Sequence, residues 1–313
     1  MRWIRDLHRV GVLGINRRNI EYTLSENPRQ LYPLVDDKLQ TKVLCERLGI
    51  PTASVFGRAA AHSEVRALVE SLRGRADFVL KPASGSMGNG ILVIHEASET
   101  TWTTSSGRVL DEAELAYHAA GIVSGLYALG GKPDAAFAEE RLELHPDFHQ
   151  IAQRGVPDIR IVVYRGIPVM AMTRLPTKRS DGRANLHQGA VGAGIDLRTG
   201  HTLHAVIGSA PVELHPDTHE PVIGRPIPLF DQALRTALRA AQGTGLGYVG
   251  ADIVVDAHRG PVLLELNARP GLAIQIANRS GLLRRLRAVA ESESVAIDIE
   301  ERIDFGCRLA EAS

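Results

Sequence analysis

Two stretches decide the reading of this chain: Val249-Gly250-Ala251-Asp252-Ile253-Val254-Val255 and Val262-Leu263-Leu264-Glu265-Leu266-Asn267. Both are short aliphatic runs of strand length, and His258-Arg259 between them reads as a tight turn, so together they predict an antiparallel hairpin. Side chains alternate along a strand, which places Glu265 and Asn267 on one face. A turn centred between His258 and Arg259 sets Asp252 directly across from Glu265. Facing carboxylates on neighbouring strands repel. A divalent cation held through oxygen removes that cost, and Mg²⁺ is commonly bound by a few carboxylates together with substrate phosphates. A slip of one residue would leave an exposed acid instead; the apolar residues on either side argue against the slip.

Around this hairpin the periodicity places a helix over 230–242 before it and a helix from about Leu272 after it, broken at Ser280-Gly281. Upstream, strands are expected at 78–81, 91–94, 136–142, 159–164, 169–174 and 203–207. Helices are expected over 37–48, after Ser63, and over 112–129. The first of these can be capped by Asp36 or Asp37, carries Leu39, Val43, Leu44 and Leu48 as its apolar stripe, and is stopped by Gly49 and Pro51. The second shows Val65, Leu68, Val69 and Leu72 at helical spacing. Trp3, Ile4, Leu7 and Val10 suggest a short amphipathic helix at the start of the chain. Strands in hairpins with helices between them predict an α+β fold rather than a doubly wound parallel sheet.

Two further features carry chemistry. Lys81 ends a strand and is followed by Pro82-Ala83-Ser84-Gly85-Ser86-Met87-Gly88-Asn89-Gly90, whose three glycines let backbone N–H groups approach an anion while Ser84 and Ser86 add hydroxyls. The lysine precedes the glycines and a strand follows them, so this is not a P-loop; the bland alternative is a flexible hairpin tip. Arg160, Arg174 and Arg183 fall near the ends of hairpins and suit planar recognition of phosphate or carboxylate. Other signals are set aside. Gly245-Leu246-Gly247-Tyr248-Val249-Gly250 fits the dinucleotide pattern, but a helix precedes it and a strand follows, the reverse of the required context. In His145-Pro146-Asp147-Phe148-His149 and His215-Pro216-Asp217-Thr218-His219 the prolines argue against the helix that would align both imidazoles on a metal.

Composition bounds the rest. The 313 residues carry 36 Lys+Arg against 36 Asp+Glu, which removes a basic surplus as an argument for nucleic acid or an anionic membrane. Hydrophobic residues at 44% with aromatics at 4% imply a soluble globular chain whose core is mostly Leu, Val, Ile and Ala. The length suggests two domains or one split domain. Cys45 and Cys307 match no metal or redox spacing and read as inert thiols in a reducing compartment. No run approaches the roughly 18 apolar residues of a membrane span, and the N-terminal arginines lack the pattern of a secretory signal. A cytoplasmic location is expected.

Taken in order, these parts resemble the ATP-grasp superfamily, and within it the alpha-L-glutamate ligase-like (RimK-type) group. The resemblance rests on Asp37-Lys38-Leu39 before a helix ending in Gly49-Ile50-Pro51, on Lys81 with its glycine loop, and on Phe137-Ala138-Glu139-Glu140-Arg141-Leu142. It continues through Asp158-Ile159-Arg160, Arg174, Arg183 with Asn185-Leu186-His187-Gln188-Gly189, Asp252, and Glu265-Leu266-Asn267-Ala268-Arg269-Pro270-Gly271.

The resemblance implies two α+β subdomains with antiparallel sheets clamping a nucleotide. It divides the chain into a short N-terminal segment (1–36, a reduced pre-grasp domain), a subdomain with the glycine-rich lid and an inserted helical segment from Trp102 to Pro133 (37–136), a subdomain with the Mg/ATP site (137–290), and a C-terminal tail (291–313). It implies ATP bound by Lys38, Lys81, Ser84, Gly85, Ser86, Gly88, Gly90, Glu139, Glu140 and Leu142. Mg²⁺, or Mn²⁺ in its place and two ions in all, would be held by Asp252, Glu265 and Asn267. Arg160, Arg174, Arg183 and Asn185 would serve the acyl substrate and the transferred phosphoryl group.

The implied activity is an ATP-dependent carboxylate–amine ligase working through an acylphosphate, with a small-molecule carboxylate and an amine or peptide acceptor. Attachment of an amino acid such as glutamate is one version. A kinase on the same scaffold and a non-catalytic nucleotide-binding module are the alternatives. No nucleic acid partner and no membrane span are expected, and oligomeric state stays open. Two departures stand out: glutamate ligases of this group carry a full α/β domain ahead of Asp37, and Arg269 replaces a small residue. The segment Gly14-Ile15-Asn16-Arg17-Arg18-Asn19 reads either as a substitute for contacts of that domain or as a cap on the core.

Overall fold

The computed structural model describes residues 10–85, 88–128, 131–152, 155–292 and 298–312. The amphipathic helix expected around Trp3, Ile4 and Leu7, and Ser86 of the glycine loop, lie outside the described residues. The chain forms two units. The smaller takes Asp36–Leu39 and Ala53–Leu142; the larger takes the chain up to Val35, Gln40–Thr52, and Glu143 onward.

Helix α1 (Lys38–Leu48) starts where expected, with Asp37 Oδ1 accepting from Leu39 N at 2.8 Å, and Gly49 at φ +61° ends it. Its buried residues are Thr41 and Cys45, whereas Val43, expected in the stripe, is 48% exposed. A residue two positions from both buried ones points about 200° round the helix from them.

The smaller unit is a six-stranded antiparallel sheet in the order β1-β6-β2-β3-β4-β5. Its elements are β1 (Val55–Ala59), α2 (His62–Ser71), β2 (Phe78–Pro82), β3 (Leu92–Ala97), β4 (Thr101–Thr104), β5 (Val109–Asp111), α3 (Glu112–Val123) and β6 (Ala136–Glu140). Helix α2 buries Val65, Leu68 and Val69, as its spacing predicts. The segment from Trp102, expected as an insertion, supplies β4, β5 and α3, and its Leu110, Leu115, Ala119 and Ile122 join the core of this unit. Trp102 itself is fully buried, with Nε1 donating to Leu72 O at 3.2 Å. Asp111 and Glu114 form a capping box at the start of α3. The helix stops at Val123 rather than 129 because Gly125 sits at φ +82°, where a Cβ would come within 2.2 Å of Lys132 O.

The larger unit is a seven-stranded antiparallel sheet in the order β11-β10-β9-β8-β7-β12-β13. Its strands are β7 (Asp158–Tyr164), β8 (Ile167–Leu175), β9 (Val191–Ile195), β10 (Thr202–Ile207), β11 (Ala210–Val212), β12 (Tyr248–Asp256) and β13 (Gly260–Asn267). Helix α4 (Phe230–Thr244) precedes β12. Its Ala233, Leu234, Ala237 and Leu238 share one core with Ile161, Val163, Val249 and Ile253. The alternate residues Val162 and Tyr164 join a second core with Leu13 and Tyr22. That second core also takes residues of α5 (Ile274–Asn278) and α6 (Leu283–Glu291). With both faces covered, the central strands read as unbroken apolar runs instead of alternating ones. The expected break at Ser280-Gly281 separates α5 from α6. Residues expected as a tail form helix α7 (Ile299–Glu311), whose Cys307 is buried in the first core. Every strand pair in both sheets is antiparallel, as the α+β reading required. Among the described residues no helix is long and apolar enough to cross a membrane.

Candidate functional site

The deciding hairpin forms, and Asp252 pairs with Glu265 across β12 and β13, but the turn is not the one expected. Asp256 pairs with Gly260, so the loop is the three residues Ala257, His258 and Arg259. Asp256 Oδ1 accepts from His258 N at 3.1 Å and Arg259 N at 3.0 Å, and Gly260 supplies φ +71°. That loop alone would set Asp252 opposite Leu264. A β-bulge restores the pair: Ile253 faces Leu263, Asp252 faces Glu265, and Leu264 is the extra residue.

The same sheet face gathers the arginines. Asp252 lies across from Arg160 on β7, so Glu265, Asp252 and Arg160 form a row over three strands. Asp158 stands two residues from Arg160 on the same face, and Arg174 of β8 lies across from Asp158. Arg160 grips Asp252 with both prongs, Nε to Oδ1 at 2.7 Å and Nη2 to Oδ2 at 2.5 Å. Arg174 spans the two aspartates. Its Nη2 donates to Asp252 Oδ2 at 2.9 Å, and its Nε donates to Asp158 Oδ1 at 2.7 Å, with a second bond from Nη2 to Asp158 Oδ2. The expectation that Asp252 is an unpaired acid requiring a cation is therefore corrected: guanidinium groups already offset its charge.

Electrostatics follow from burial and these bonds. Burial alone would raise Asp252, but Arg160 and Arg174 outweigh it and hold that carboxyl below the usual range. Asp158 has Arg174 as its main counter-charge, and burial pushes it up to about 6. For Arg174, burial would lower the pKa, but Asp158 and Asp252 together raise it. Asp158 was missed as a site residue; the signal was its i, i+2 spacing from Arg160, which shares a face in any strand.

At the β13 edge of this group the donors are of the kind a divalent cation takes. Asn267 Nδ2 lies 3.4 Å from Asp252 Oδ2 and 3.3 Å from Glu265 Oε1, so two carboxylates and one amide converge. A carboxylate has about four lone-pair positions, and Asp252 accepts three close N–H bonds and the longer one from Asn267, so a cation there would take the place of the Asn267 N–H. Hard oxygen donors with a surplus of negative charge suit Mg²⁺. Among the described residues, no group of three or more His, Cys, Asp or Glu is placed to hold a metal by itself. Of the remaining candidates in this unit, Arg183 is exposed, and Asn185 uses its Oδ1 to cap a short turn by accepting from His187 N at 3.0 Å. Neither bonds to the Arg160–Asp252 group.

In the smaller unit the cationic candidates are engaged. Lys81 Nζ forms an ion pair with Glu139, both side chains being nearly buried, and stands 5.3 Å from the Phe137 ring centroid. The β2–β6 register makes Lys81 and Glu139 diagonal neighbours on one face. Lys38 Nζ donates to Gly85 O at 2.8 Å and thereby anchors the glycine loop. Ser84 N donates to the Asp134 carboxylate at 3.0 Å, and His118 Nε2 bonds Gly90 O at 2.9 Å. A Cβ on Gly90 would meet the Tyr127 ring at 2.6 Å, and Gly88 and Gly90 both take positive φ. The described parts of the loop are thus packed down, unlike a free hairpin tip. Glu140 Oε2 accepts from Ser54 N at 3.2 Å, and Leu142 is buried.

The signals set aside turn out to be structural. Gly245 at φ +70° ends α4, which explains the false dinucleotide pattern. In each His-Pro-Asp segment the histidine Nδ1 accepts from the aspartate N–H two residues on, at 3.3 Å, for both His145 and His215. Cys45 and Cys307 are buried, and burial pushes the Cys45 thiol up to about 11.

Comparison with known proteins bears on this arrangement. Over 236 residues the chain is 28% identical to a probable alpha-L-glutamate ligase of Thioalkalivibrio sulfidiphilus, covering 75% of this chain and 56% of that one. It is 27% identical over 236 residues to one named likewise from Pseudomonas savastanoi pv. phaseolicola. It thus spans about half the length of the curated relatives it matches, 56% in each case. Among solved structures, biotin carboxylase of Campylobacter jejuni aligns with a TM-score of 0.47 at 17% identity, over 86% of this chain and 49% of that one. D-alanine–D-alanine ligase of Bacillus anthracis aligns with a TM-score of 0.43 at 13% identity, over 90% and 69%. The sugar-transfer associated ATP-grasp profile matches residues 17–291, which contain both sheets and every residue of the acid–arginine group, and the chain belongs to that ATP-grasp family.

Proposed function

We propose that this chain is a cytoplasmic, ATP- and Mg²⁺-dependent carboxylate–amine ligase. The observation that carries the reading is the acid–arginine group on β7, β8, β12 and β13, whose Asp158 and Asp252 are buried. There, two guanidiniums and three carboxylates, with Asn267, are fixed by strand register and not by loops. Such preorganised charge suits a reaction that builds negative charge on a phosphoryl group and then on a carbonyl. A substrate carboxylate oxygen attacks the γ-phosphorus, ADP leaves, and an acylphosphate forms. The amine then attacks the carbonyl carbon, loses a proton, and expels inorganic phosphate.

Asp252, Glu265 and Asn267 would hold Mg²⁺, which when bound neutralises charge on nucleotide phosphates. Arg160 and Arg174 orient Asp252 and offer the remaining N–H groups to the transferred phosphoryl. Lys81 and Lys38 donate to nucleotide phosphates, and the Glu139 pair holds Lys81 in place until it does. The relatives' name supports an amino acid such as glutamate among the substrates.

The test is ADP and phosphate release by purified protein with Mg²⁺-ATP against a panel of carboxylates and amines. Release of both products only when carboxylate and amine are present together, with formation of the amide, marks ligation, whereas phosphate retained on the acceptor marks a kinase. Lys81→Ala and Glu265→Ala should each lower the rate about 10²–10³-fold, the usual loss for one preorganised electrostatic group. Full ADP release by either variant would remove that residue from the site.

A further inference from the structure

Arg18 opens a π-helical turn, Arg18–Leu24, and is 7% exposed. Its Nη1 donates to Pro270 O at 3.0 Å, yet its Nε is buried without a hydrogen-bond partner, and no carboxylate pairs with it among the described residues. Burial lowers its pKa, Tyr248 acts the other way, and the like charge of a second arginine, Arg269, adds a smaller lowering. An uncompensated buried cation is strongly unfavourable. Arg285 gives the contrast: it too is buried with an unpartnered Nε, but Asp196 acts on it as a counter-charge.

The surroundings of Arg18 share the deficit. Thr23, five residues on and therefore one π-turn along the same side, is 2% exposed, and its Oγ1 lacks a partner. The hydroxyl of fully buried Tyr248, which acts electrostatically on Arg18, also lacks one. The turn is fixed in place. Asn27 Nδ2 donates to Tyr248 O at 2.7 Å and Ala268 O at 3.1 Å, and its Oδ1 accepts from Tyr248 N at 2.9 Å. The Pro270 carbonyl that holds Arg18 immediately precedes Gly271, where a Cβ would stand 3.7 Å from Arg160 Nη1.

We propose that Arg18, with Arg269 at its side, is a receptor for a carboxylate group of the substrate, a second anionic group beyond the one that reacts near Arg160. The site takes a dicarboxylate: one end sits on the Arg18 guanidinium, with Thr23 and Tyr248 hydroxyls as donors, and the other end reaches the acid–arginine group across the Arg269-Pro270-Gly271 loop. A guanidinium edge matches a planar carboxylate, which is why an arginine and not a lysine stands here. The identity of the far end rests on the ligase reading; the anion site does not.

The experiment is isothermal titration and thermal shift of the purified chain with succinate, acetate and inorganic phosphate, and separately with Mg²⁺-ATP. Succinate should bind and raise the melting temperature. Arg18→Gln should weaken succinate about tenfold to a hundredfold, the usual worth of a charge-assisted hydrogen-bonded contact, while leaving Mg²⁺-ATP affinity as it was. Arg269→Ala, a change at an exposed residue that folding tolerates, should weaken succinate several-fold. Succinate binding unchanged in both variants, no succinate binding by the parent chain, or a response to phosphate alone would each overturn the proposal. Arg18-dependent succinate binding without any Mg²⁺-ATP binding would uphold the receptor and defeat the nucleotide reading instead.

Discussion

Replacing Arg174 by methionine keeps most of the side-chain volume and removes the one guanidinium that spans Asp158 and Asp252. The two aspartates are not affected equally. Asp252 keeps both bonds from Arg160, whereas Asp158 loses its closest counter-charge while buried to 4% exposure. Leaving one charge of a buried pair behind costs about 3–5 kcal/mol. At about 2–4 °C per kcal/mol for a unit of this size, calorimetry should record a fall of roughly 6–20 °C in the melting of the larger unit at neutral to mildly alkaline pH.

The pH dependence has a definite sign. Asp158 already titrates at about 6 in the folded protein, above its unfolded value near 3.8, and losing Arg174 raises it further. Between the unfolded and folded values the folded state binds more protons, so stability falls as pH rises through that window. The deficit of the variant is then full above the raised value and shrinks as pH falls toward about 5, where Asp158 is neutral in both proteins. Adding Asp158→Asn to Arg174→Met should recover most of the loss. A melting point within about 2 °C of the parent at pH 8 would refute the reasoning. So would an equal deficit at low and high pH, or no recovery in the double variant.

Two other outcomes are expected. His215 is 1% exposed, bonds Pro176 O through Nε2 and accepts from Asp217 N through Nδ1, and burial lowers its pKa. The unfolded chain therefore takes up this proton first as pH falls through about 6.5, and stability held above that value declines below it by up to about 1.4 kcal/mol per pH unit. Melting curves on either side of this range should show that slope in the parent and its loss in His215→Asn. Gly281→Ala would place a Cβ 2.1 Å from Gly11 C and 2.4 Å from Val10 O, costing about 1–3 kcal/mol of overpacking and loosening the segment before Arg18. Faster tryptic cleavage at Arg17 and Arg18 is the readout, and an unchanged cleavage rate would mean that the segment does not depend on this contact.

The elements that were legible in the sequence were those whose residues announce one face. Helix α2, with Val65, Leu68 and Val69 at i, i+3, i+4, needed no tertiary information, and the aliphatic runs of β7, β8, β12 and β13 were long enough to be read directly. Strands β1, β4, β5, β9 and β11 were not. Val191-Gly192-Ala193-Gly194-Ile195 carries two glycines, because a Cβ at Gly192 would meet Leu186 at 2.7 Å and one at Gly194 would meet Ala277 O at 2.7 Å. Close packing, not strand propensity, chose those residues. The Asp252–Glu265 pairing was read correctly from a wrong turn: the loop is one residue off, and the bulge at Leu264 compensates. Neither deviation leaves a local sign that spacing alone could separate. The arginine clamp on Asp252 escaped for a different reason, since it depends on which strands are neighbours, and β7 reaches β12 across 83 intervening residues.

The bulge at Leu264 also bears on how such sheets can be recombined. The extra residue offsets the register set by the three-residue loop at Ala257–Arg259, so turn and bulge together keep Glu265 and Asn267 on the polar face. A graft that keeps Leu264 but forces a regular ladder would set Leu264 opposite Asp252 and turn Glu265 toward the α4 core. The smallest transferable piece is therefore the whole ribbon from Gly250 to Asn267, irregularity included.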